Sequence, residues 1–355
     1  MSKISDAIKR AGLSLGEEMF VVANNQYFSQ FGDYEWAETS SLDEVKRSKI
    51  KPYLWKLISP DDDEITRKVV EDKDGIGYFI KAKENTTAVA PINTCYVINQ
   101  PSFEQNVHNV IVAEPGAKLQ ILTGCTADHQ MAANIHRGIT EIYVKEGAEV
   151  VFTMIHSWSS KSRVFPKTAV KVEKGGQFIS NYLIFDPVME MKANPKVYLD
   201  GEAAKAVLKS FIYSHPDSKI DLGGEVHLNS NYSRGEIETH AVVGGGETVT
   251  RGTLYGRAEE IVAHLECSAI VLSDKAKFKT IPALVSELDN LNMSHEASIG
   301  KISRQQIEYL QTRGIDEEDA RRMIVRGFID QSVGDLTPFV QSKINQILAK
   351  TSRGL

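Results

Sequence analysis

Two short clusters of metal-binding side chains lie near the end of a long strand-rich region. Residues 264–267 read His-Leu-Glu-Cys, and residues 294–296 read Ser-His-Glu. A thiolate, an imidazole and a carboxylate together suit iron or zinc better than magnesium or calcium. The alternative interpretation is structural, because a cysteine in an apolar strand is usually a small core residue and a His-Glu pair before a helix is usually a solvated turn.

The elements that must position these clusters are short strands that recur at a regular distance. From about residue 85, β-branched stretches alternate with Gly and Asn turns, and helical periodicity largely disappears. A valine-rich strand and a charged turn recur with glycines at Gly116, Gly147 and Gly175, which are 31 and 28 positions apart. A fainter copy without the glycine covers residues 274–278.

Repeats of this length that consist of strands alone indicate stacked coils, so we predict a mainly β fold, a parallel β-solenoid. A large antiparallel sandwich stays open as the alternative, because its hairpins also end in glycine turns. In a solenoid, residues one coil apart lie about 5 Å from each other. Cys267 and Glu296 are 29 positions apart, which matches one coil. We therefore expect the thiol, the imidazole and the carboxylate to converge.

Helical patterns are predicted on both sides of the strands. Residues 1–80 read as a mainly helical region, residues 81–300 as the solenoid core, and residues 301–355 as a C-terminal helical domain. The apolar stripes of the C-terminal helices either cap the end of the solenoid or offer a face to another protein.

The C-terminal helices carry recognisable start and stop signals. Ser303 and Gln306 form a predicted capping box, and Gly314 stops the first helix. Asp316 caps a second helix, with an acidic first turn and basic later turns that complement the helix dipole. Residues 337–338, Thr-Pro, open a third amphipathic helix.

The composition is that of an ordinary folded protein and excludes several classes. The 355 residues are 42% hydrophobic and 25% charged, enough for one large domain with appendages or for two domains. The net charge of -6 has the wrong sign for non-specific capture of nucleic acid. Three scattered cysteines, Cys95, Cys125 and Cys267, favour a reducing cytoplasm over a disulfide framework. No apolar run is long enough to span a membrane.

Familiar enzyme signatures are mostly absent. The sequence has no Gly-x-x-x-x-Gly-Lys-Ser/Thr phosphate loop, no Gly-x-Gly-x-x-Gly and no Cys-x-x-Cys, and the glycines at 244–246 indicate a corner between strands. We therefore expect no nucleotide site on this chain. A polysaccharide-cleaving β-helix enzyme would need paired carboxylates repeated at the coil period, and we expect none.

The sequence resembles the SufB/SufD family of iron–sulfur cluster assembly proteins in several stretches, at residues 124–127, 229–255, 267–275, 294–302, 306–315 and 317–320. The resemblance covers roughly residues 90 to 330, and the first 80 residues match poorly, as would suit a small archaeal-type member. It implies a right-handed parallel β-helix between helical terminal domains. It also implies a cytoplasmic scaffold for transiently bound iron–sulfur clusters, in complex with the ABC-type ATPase SufC.

The resemblance also implies roles for individual residues. Cys267 falls at the family's cluster-building cysteine, Glu296 at its essential carboxylate, and His295 where SufD supplies a histidine. Cys125 falls at the cysteine proposed to receive sulfur from a donor protein. Three further positions line the implied sulfur route: Asn99, Trp158 and Lys171.

Some residues depart from the family pattern. Ser294 stands where SufB commonly has an acidic residue, Val97 where the sulfur route usually has an arginine, and His156 at a glutamine position. These departures concern the sulfur route more than the cluster site.

Two kinds of protein partner follow. The helices between residues 303 and 329 would dock on SufC, through Gln306, Tyr309, Arg313, Met323, Ile324 and Phe328. Because this chain carries Cys267, His295 and Glu296 together, it can serve as both halves of a SufB–SufD pair, and we predict a twofold homodimer through the edge strands of the solenoid, with a SufD-like paralogue as the alternative partner. The cluster would later pass to an acceptor protein. The rival interpretation is an adaptor that regulates an ABC ATPase and never carries a cluster.

Overall fold

Two long sheets of parallel strands form most of the protein. The computed structural model describes residues 2–13, 19–72, 75–128, 133–289 and 291–333, and six residues beyond them: Gln341, Ser342, Ile344, Asn345, Ile347 and Leu348. None of the helices within these ranges combines the length and apolar character that a bilayer crossing requires.

In chain order the elements are α1 (Ser2–Arg10), β1 (Phe20–Ala23), β2 (Gln26–Ser29), β3 (Ala37–Ser41), α2 (Arg47–Ile50), α3 (Glu64–Glu71), β4 (Tyr78–Ala82), β5 (Ile92–Ile98), β6 (Glu104–Ala113), β7 (Lys118–Ala127), β8 (Asn134–Val144), β9 (Glu149–Ser157), β10 (Ser162–Val172), β11 (Gln177–Ile184), β12 (Glu190–Ala193), β13 (Lys196–Leu199), β14 (Lys205–Ser214), β15 (Lys219–Leu222), β16 (Glu225–Leu228), β17 (Arg234–Val243), β18 (Glu247–Gly256), β19 (Val262–Val271), β20 (Lys277–Ser286), β21 (Asn292–Lys301), α4 (Arg304–Thr312) and α5 (Glu317–Val333).

From β5 onwards the chain passes alternately between the two sheets, and β12–β13 and β15–β16 are pairs of consecutive strands within one sheet. Sheet A has the order β2-β1-β5-β7-β9-β11-β14-β17-β19-β21. Sheet B has the order β12-β15-β18-β16-β13-β10-β8-β6-β4-β3, and β20 pairs with β18. Within the described ranges, β1–β2 and β3–β4 pair antiparallel and the strand pairs of the later coils are parallel. The predicted β-solenoid is confirmed, and the antiparallel sandwich is excluded.

The predicted glycine turns form one corner of the coils. Gly116, Gly147 and Gly175 have φ values of 68°, 64° and 63°. Each amide donates to a carbonyl of the next coil, as Gly147 N does to Lys174 O at 2.9 Å. The spacings of 31 and 28 recur in the strand register, where Lys118 pairs with Glu149 and Glu149 pairs with Gln177. The fainter copy at 274–278 lies at another corner, before a strand of sheet B.

Gly147→Ala is expected to lower the free energy of unfolding by about 1 kcal/mol. A Cβ at Gly147 would meet nothing within 4 Å, so the cost is that of the left-handed backbone alone. The control is Gly327→Ala in helix α5, where a Cβ also has open space and φ is not positive. There the free energy of unfolding should rise by about 1 kcal/mol. Urea unfolding followed by circular dichroism checks both, and equal shifts would contradict the explanation.

Alternate residues of each strand fill the space between the sheets. This interior, called the lumen below, is closely packed with apolar side chains such as Ile121, Val150 and Leu265. The intervening residues point to the outer faces, because successive side chains of a strand leave on opposite sides. Whether a side chain faces the lumen or the outside therefore depends on whether its position within the coil is odd or even.

The N-terminal 80 residues differ from the predicted mainly helical region. Helices α1, α2 and α3 are short, and strands β1 to β4 join the first coils of the two sheets. Helix α1 covers an outer patch of sheet A, where Ala7 and Ile8 pack against Cys95. Strand pairing with an existing sheet edge gives these short segments a structure that their own periodicity does not specify.

A buried carboxylate ties the segment around residue 55 to sheet B. Glu141 accepts hydrogen bonds from the backbone amides of Trp55, Lys56 and Leu57 at 2.6, 2.7 and 2.6 Å. His108 Nε2 lies 2.9 Å from the same carboxylate. Glu141 is wholly buried, and these partners satisfy a charge that would otherwise be costly to bury.

The C-terminal helices lie along the side of the solenoid. Val325 and Ile329 of α5 pack with Phe211 and Tyr213 on the outer face of sheet A. The apolar stripe of α5 therefore covers a sheet face and does not cap the solenoid end.

The helix signals are partly confirmed. Gly314 has a φ of 83° just after α4, and Asp316 Oδ1 accepts from the amide of Asp319 at 2.9 Å. Ser303 precedes α4 as its N-cap but makes no side-chain cap hydrogen bond, so the predicted capping box does not form. The start of the third predicted helix, at residues 337–338, lies outside the described residues.

Candidate functional site

Cys267 lies in the lumen near the last coil. It belongs to β19, where Ala263, Leu265, Cys267 and Ala269 are buried and the intervening side chains are not. Thr250 Oγ1 approaches its sulfur at 4.0 Å across the lumen. Burial raises the pKa of the Cys267 thiol, and nearby threonine hydroxyls partly offset that effect. The thiol is therefore shielded and protonated until a metal or a base takes its proton.

The structure separates the two residues that were expected to converge. In the parallel pairing of β19 with β21, Cys267 pairs with Ala297 and Leu265 pairs with His295. His295 thus lies on the lumen face of β21, where it is the diagonal neighbour of Cys267 on the adjacent strand. Glu296 pairs with Glu266 on the outer face. Within the described ranges, no three His, Cys, Asp or Glu side chains form a group that could hold a metal ion.

The reason is a difference of one residue. The coil that joins β19 to β21 advances the register by 30 positions, as the pairing of Val262 with Asn292 shows, and the spacing from Cys267 to Glu296 is 29. Because side chains alternate, a shift of one residue moves a side chain to the other face. The backbones are neighbours, but the carboxylate and the thiol of one chain point in opposite directions.

Glu296 instead ends a row of acidic residues on the outer face of sheet A. Glu238 pairs with Glu266, and Glu266 pairs with Glu296. The expectation that no carboxylates repeat at the coil period is therefore wrong. Lys209 lies 3.1 Å from Glu238 and compensates charge at the start of the row. The row runs along the outer face of the sheet and so lies away from the lumen thiol.

The C-terminal end of the solenoid is open in the described part of the chain. Strands β21 and β20 are the last strands of their sheets and have a partner on one edge. Ile299 of β21 is 50% exposed, whereas Ala269, its partner in the preceding coil, is 3% exposed. Lumen-facing apolar side chains are thus uncovered beside two unpaired strand edges, the usual features of a surface that pairs with another strand.

Cys125 lies in the lumen near the other end. It belongs to β7, and its register partners are Tyr96 in β5 and His156 in β9. Burial raises the pKa of the Cys125 thiol to about 12. The indole of Trp158 donates from Nε1 to His156 Nδ1 at 2.9 Å, so Trp158 borders the same space.

Asn99 connects to this region through a chain of hydrogen bonds. Asn24 Nδ2 donates to Asn99 Oδ1 at 2.6 Å, and Gln105 Nε2 donates to the backbone oxygen of Asn24 at 2.5 Å. Gln105 Oε1 lies 2.9 Å from His136 Nδ1. The ring of His136 lies 5.0 Å from that of Trp158. A polar path thus leads from half-buried Asn99 towards Cys125.

Lys171 is not part of this arrangement. It lies on β10, between the buried residues Val170 and Val172, and its ammonium is 3.4 Å from the carboxylate of Asp200. This places Lys171 on the outer face of sheet B. The structure therefore brings Cys125 and Trp158 together, links Asn99 to them, and leaves Lys171 outside.

Sequence reasoning missed several polar residues of the lumen. Gln105 and His136 are register partners, as are Thr250 and Thr280. Each pair was detectable in principle, because its members are one coil apart at positions that alternate with outward residues. Finding them requires the exact coil length at each turn.

The residues predicted to bind an ATPase divide into two groups. Gln306 and Tyr309 on α4 are exposed, as are Arg313 just after α4 and Met323 on α5, and the Arg313 guanidinium lies 5.5 Å from the Tyr309 ring centre. The remaining two, Ile324 and Phe328, are partly buried, and Phe328 packs against the cluster on sheet A. The four exposed residues are called the helical patch below.

Comparison with known proteins gives a consistent result. Residues 96–328 match the family model described as SUF system FeS cluster assembly, SufBD core domain. The chain is 36% identical, over 99% of its length and 93% of the relative, to an iron-sulfur cluster assembly SufBD family protein of Archaeoglobus fulgidus. It is 35% identical to one of Methanothermobacter thermautotrophicus, over 87% of this chain and 77% of the relative. A Pyrococcus horikoshii member is 31% identical over 94% of this chain and 77% of its own length.

Proposed function

Because this chain belongs to the SufBD family of iron–sulfur cluster assembly proteins, we propose that it is a scaffold on which a cluster is built and from which the cluster is passed on. The observation that carries the proposal is the buried thiol of Cys267 beside the open end of the lumen. We place the protein in the cytoplasm, in keeping with its three free cysteines.

The chemistry of the proposed ligands suits temporary binding. The Cys267 thiolate would hold sulfide and iron, and His295 lies on the same face of the sheet. Glu296 would add an oxygen ligand that exchanges easily. A site with four cysteines retains its cluster, whereas one with few thiolates and exchangeable carboxylate or imidazole ligands can release it to an acceptor.

A second copy of the chain would complete the site. Two copies that join at their open ends would place two Cys267 thiols and two His295 imidazoles in one continuous lumen. For Glu296 to bind the same metal as the thiol, β21 must shift by one residue, which exchanges the faces of the strand and turns His295 outward, so that His295 and Glu296 of one chain would be alternative ligands. A terminal strand with a partner on one edge only is suited to such a shift.

Sulfur would arrive through Cys125. Its position in the lumen, the adjacent Trp158 and the polar path from Asn99 support this part of the proposal. Lys171, on the outer face, is supported by the family resemblance alone.

A SufC-type ABC ATPase would supply the driving force. The exposed residues Gln306, Tyr309, Arg313 and Met323, with half-buried Ile324 next to Met323, make up the proposed docking surface, and Phe328 would hold α5 against the solenoid. Dimerisation of two ATPase subunits could shear the paired scaffolds and open the seam, a rigid-body switch. The chain itself would not hydrolyse ATP.

An adaptor without a cluster is the second candidate. The observation that favours it is that one chain, in its described part, does not assemble three metal ligands. In that case the helical patch would be functional and Cys267 would be a packing residue.

The full chain purified without oxygen is expected to show visible absorption from sulfur-to-iron charge transfer, and to contain iron and acid-labile sulfide. Material that emerges without iron should gain the same absorption on anaerobic reconstitution with ferrous iron and sulfide. It should then lose that absorption when an apo-ferredoxin is added, because the ligand set favours release. Protein that stays colourless and free of iron after reconstitution would overturn the scaffold proposal.

A further inference from the structure

His156 is the direct neighbour of Cys125 inside the lumen. The two residues are register partners on adjacent strands, which lie about 4.8 Å apart. Each is 1% exposed. The next register partner along the same row is the apolar residue Ile184.

The proton of the His156 ring can be located from its surroundings. An indole nitrogen can only donate, so the 2.9 Å contact from Trp158 Nε1 makes His156 Nδ1 an acceptor without a proton. Burial, together with neighbouring His136, lowers the pKa of His156 to about 3, so the ring is neutral. Its single proton is therefore on Nε2.

That Nε2–H group has no hydrogen-bond partner. The nitrogen is buried and unpaired among the described residues. The other neighbour of Cys125 is already engaged, because the Tyr96 hydroxyl donates to Asn109 Oδ1 at 2.5 Å. A buried donor without an acceptor is unfavourable, and such groups in native proteins commonly await a ligand, water or charge. The Cys125 thiol is a poor hydrogen-bond acceptor, because the sulfur of a neutral S–H group accepts hydrogen bonds only weakly.

We propose that His156 is a positioning residue for sulfur on Cys125: its Nε2–H donates to the anionic terminal sulfur of a Cys125 persulfide. This inference rests on the proposed use of Cys125 as the sulfur acceptor. A hydropersulfide is a stronger acid than a thiol, so loading converts a neutral group into an anion. Charge-assisted hydrogen bonds are roughly twice as strong as neutral ones, and the ring therefore stabilises the loaded form over the empty one.

The loading step conserves atoms and electrons. The Cys125 thiolate attacks the outer sulfur of a donor polysulfide or persulfide, the S–S bond of the donor breaks, and a new S–S bond forms on Cys125. The donor leaves with the electron pair of its broken bond and takes the proton that Cys125 gave up. The exchange is redox-neutral and needs no further reagent. His156 moves no proton in this step, because its role is to hold the product.

The test uses the full chain under anaerobic conditions. The protein is treated with inorganic polysulfide, excess reagent is removed, and mass spectrometry follows the loss of the added sulfur atom from the Cys125 peptide. His156→Leu, which removes the donor, should release the sulfur about tenfold faster than the parent protein. His156→Gln, which keeps an N–H donor, should stay within about threefold of it. Thermal unfolding of both variants is followed alongside, because glutamine, unlike leucine, can still accept from the Trp158 indole.

Three results would overturn the inference. If His156→Leu and the parent protein lost the added sulfur at equal rates, His156 would have no role in holding it, although Cys125 would still be loaded. Equally fast release from both variants would indicate packing and not hydrogen bonding. No sulfur on Cys125 in the parent protein would reject this role together with the sulfur-receiving role of Cys125. By contrast, normal loading of Cys125 in a protein that builds no cluster would refute the scaffold function and leave the His156 assignment standing.

Discussion

Cys267→Ser is expected to abolish the retention of iron and sulfide by the reconstituted protein. Among the proposed ligands, Cys267 supplies the sole thiolate, and a serine oxygen binds iron–sulfur clusters poorly because it is a harder ligand that stays protonated at neutral pH. The substitution is nearly isosteric, and Thr250 lies across the lumen to accept or donate a hydrogen bond. Iron and sulfide content should fall to background while the circular dichroism spectrum is unchanged.

The matched control is Cys95→Ser. Cys95 is also fully buried, but it lies beneath α1 on the outer face of sheet A. The same chemical change at this position should leave iron and sulfide at the level of the unmodified protein. If Cys267→Ser retained as much iron and sulfide as the control, the adaptor interpretation would replace the scaffold.

Ile299→Lys is expected to convert a complex containing two copies of this chain into one containing a single copy. Ile299 is half exposed at the open end, so a lysine there costs the isolated chain little. In a twofold interface each substitution occurs twice, and an inward-pointing charge on an edge strand opposes strand pairing. We expect the dissociation constant of the pair to rise at least about a hundredfold, since each like-charged contact in a desolvated seam costs on the order of 1–3 kcal/mol.

Light scattering over a range of protein concentrations measures this change. The control is Met189→Lys, because Met189 is 49% exposed and lies in the connection between β11 and β12, away from the open end. Met189→Lys should keep the mass of two copies. A parent complex with one copy at every concentration would reject the homodimer, and a two-copy mass for Ile299→Lys would move the interface elsewhere.

The two tests are linked by the position of Glu296. In the single chain its carboxylate is on the outer face with Glu266, and the thiol is in the lumen. If the dimer forms and β21 shifts, Ile299→Lys should also lower cluster retention, although Cys267 is unchanged. Loss of pairing with full cluster retention would indicate that one chain is sufficient.

Several features of the fold followed directly from the sequence. The recurring Gly turns predicted stacked coils, because a left-handed residue is needed at a tight corner and each coil repeats that corner. Gly314 and Asp316 predicted the break between α4 and α5 for equally local reasons. The family resemblance identified the same stretch that the family model matches.

Other features depended on contacts between distant residues. Phe328 belongs to a stripe that could have faced a partner, and its packing against the cluster on the outer face of sheet A directs it inward. Strands β1 to β4 are too short to show a period, and pairing with neighbouring strands decided their conformation. Ser303 has the right residue type for a capping box but lacks the side-chain hydrogen bond.

By itself, the amino-acid sequence determined that the chain forms a strand solenoid, which family it belongs to and which residue types could bind metal and sulfur. Only the tertiary structure decided which of those residues share a face. Coil lengths vary between 27 and 31 residues, and a difference of one residue turns a side chain from the lumen to the outside. That is why His156 meets Cys125, while Glu296 turns away from Cys267 within a single chain.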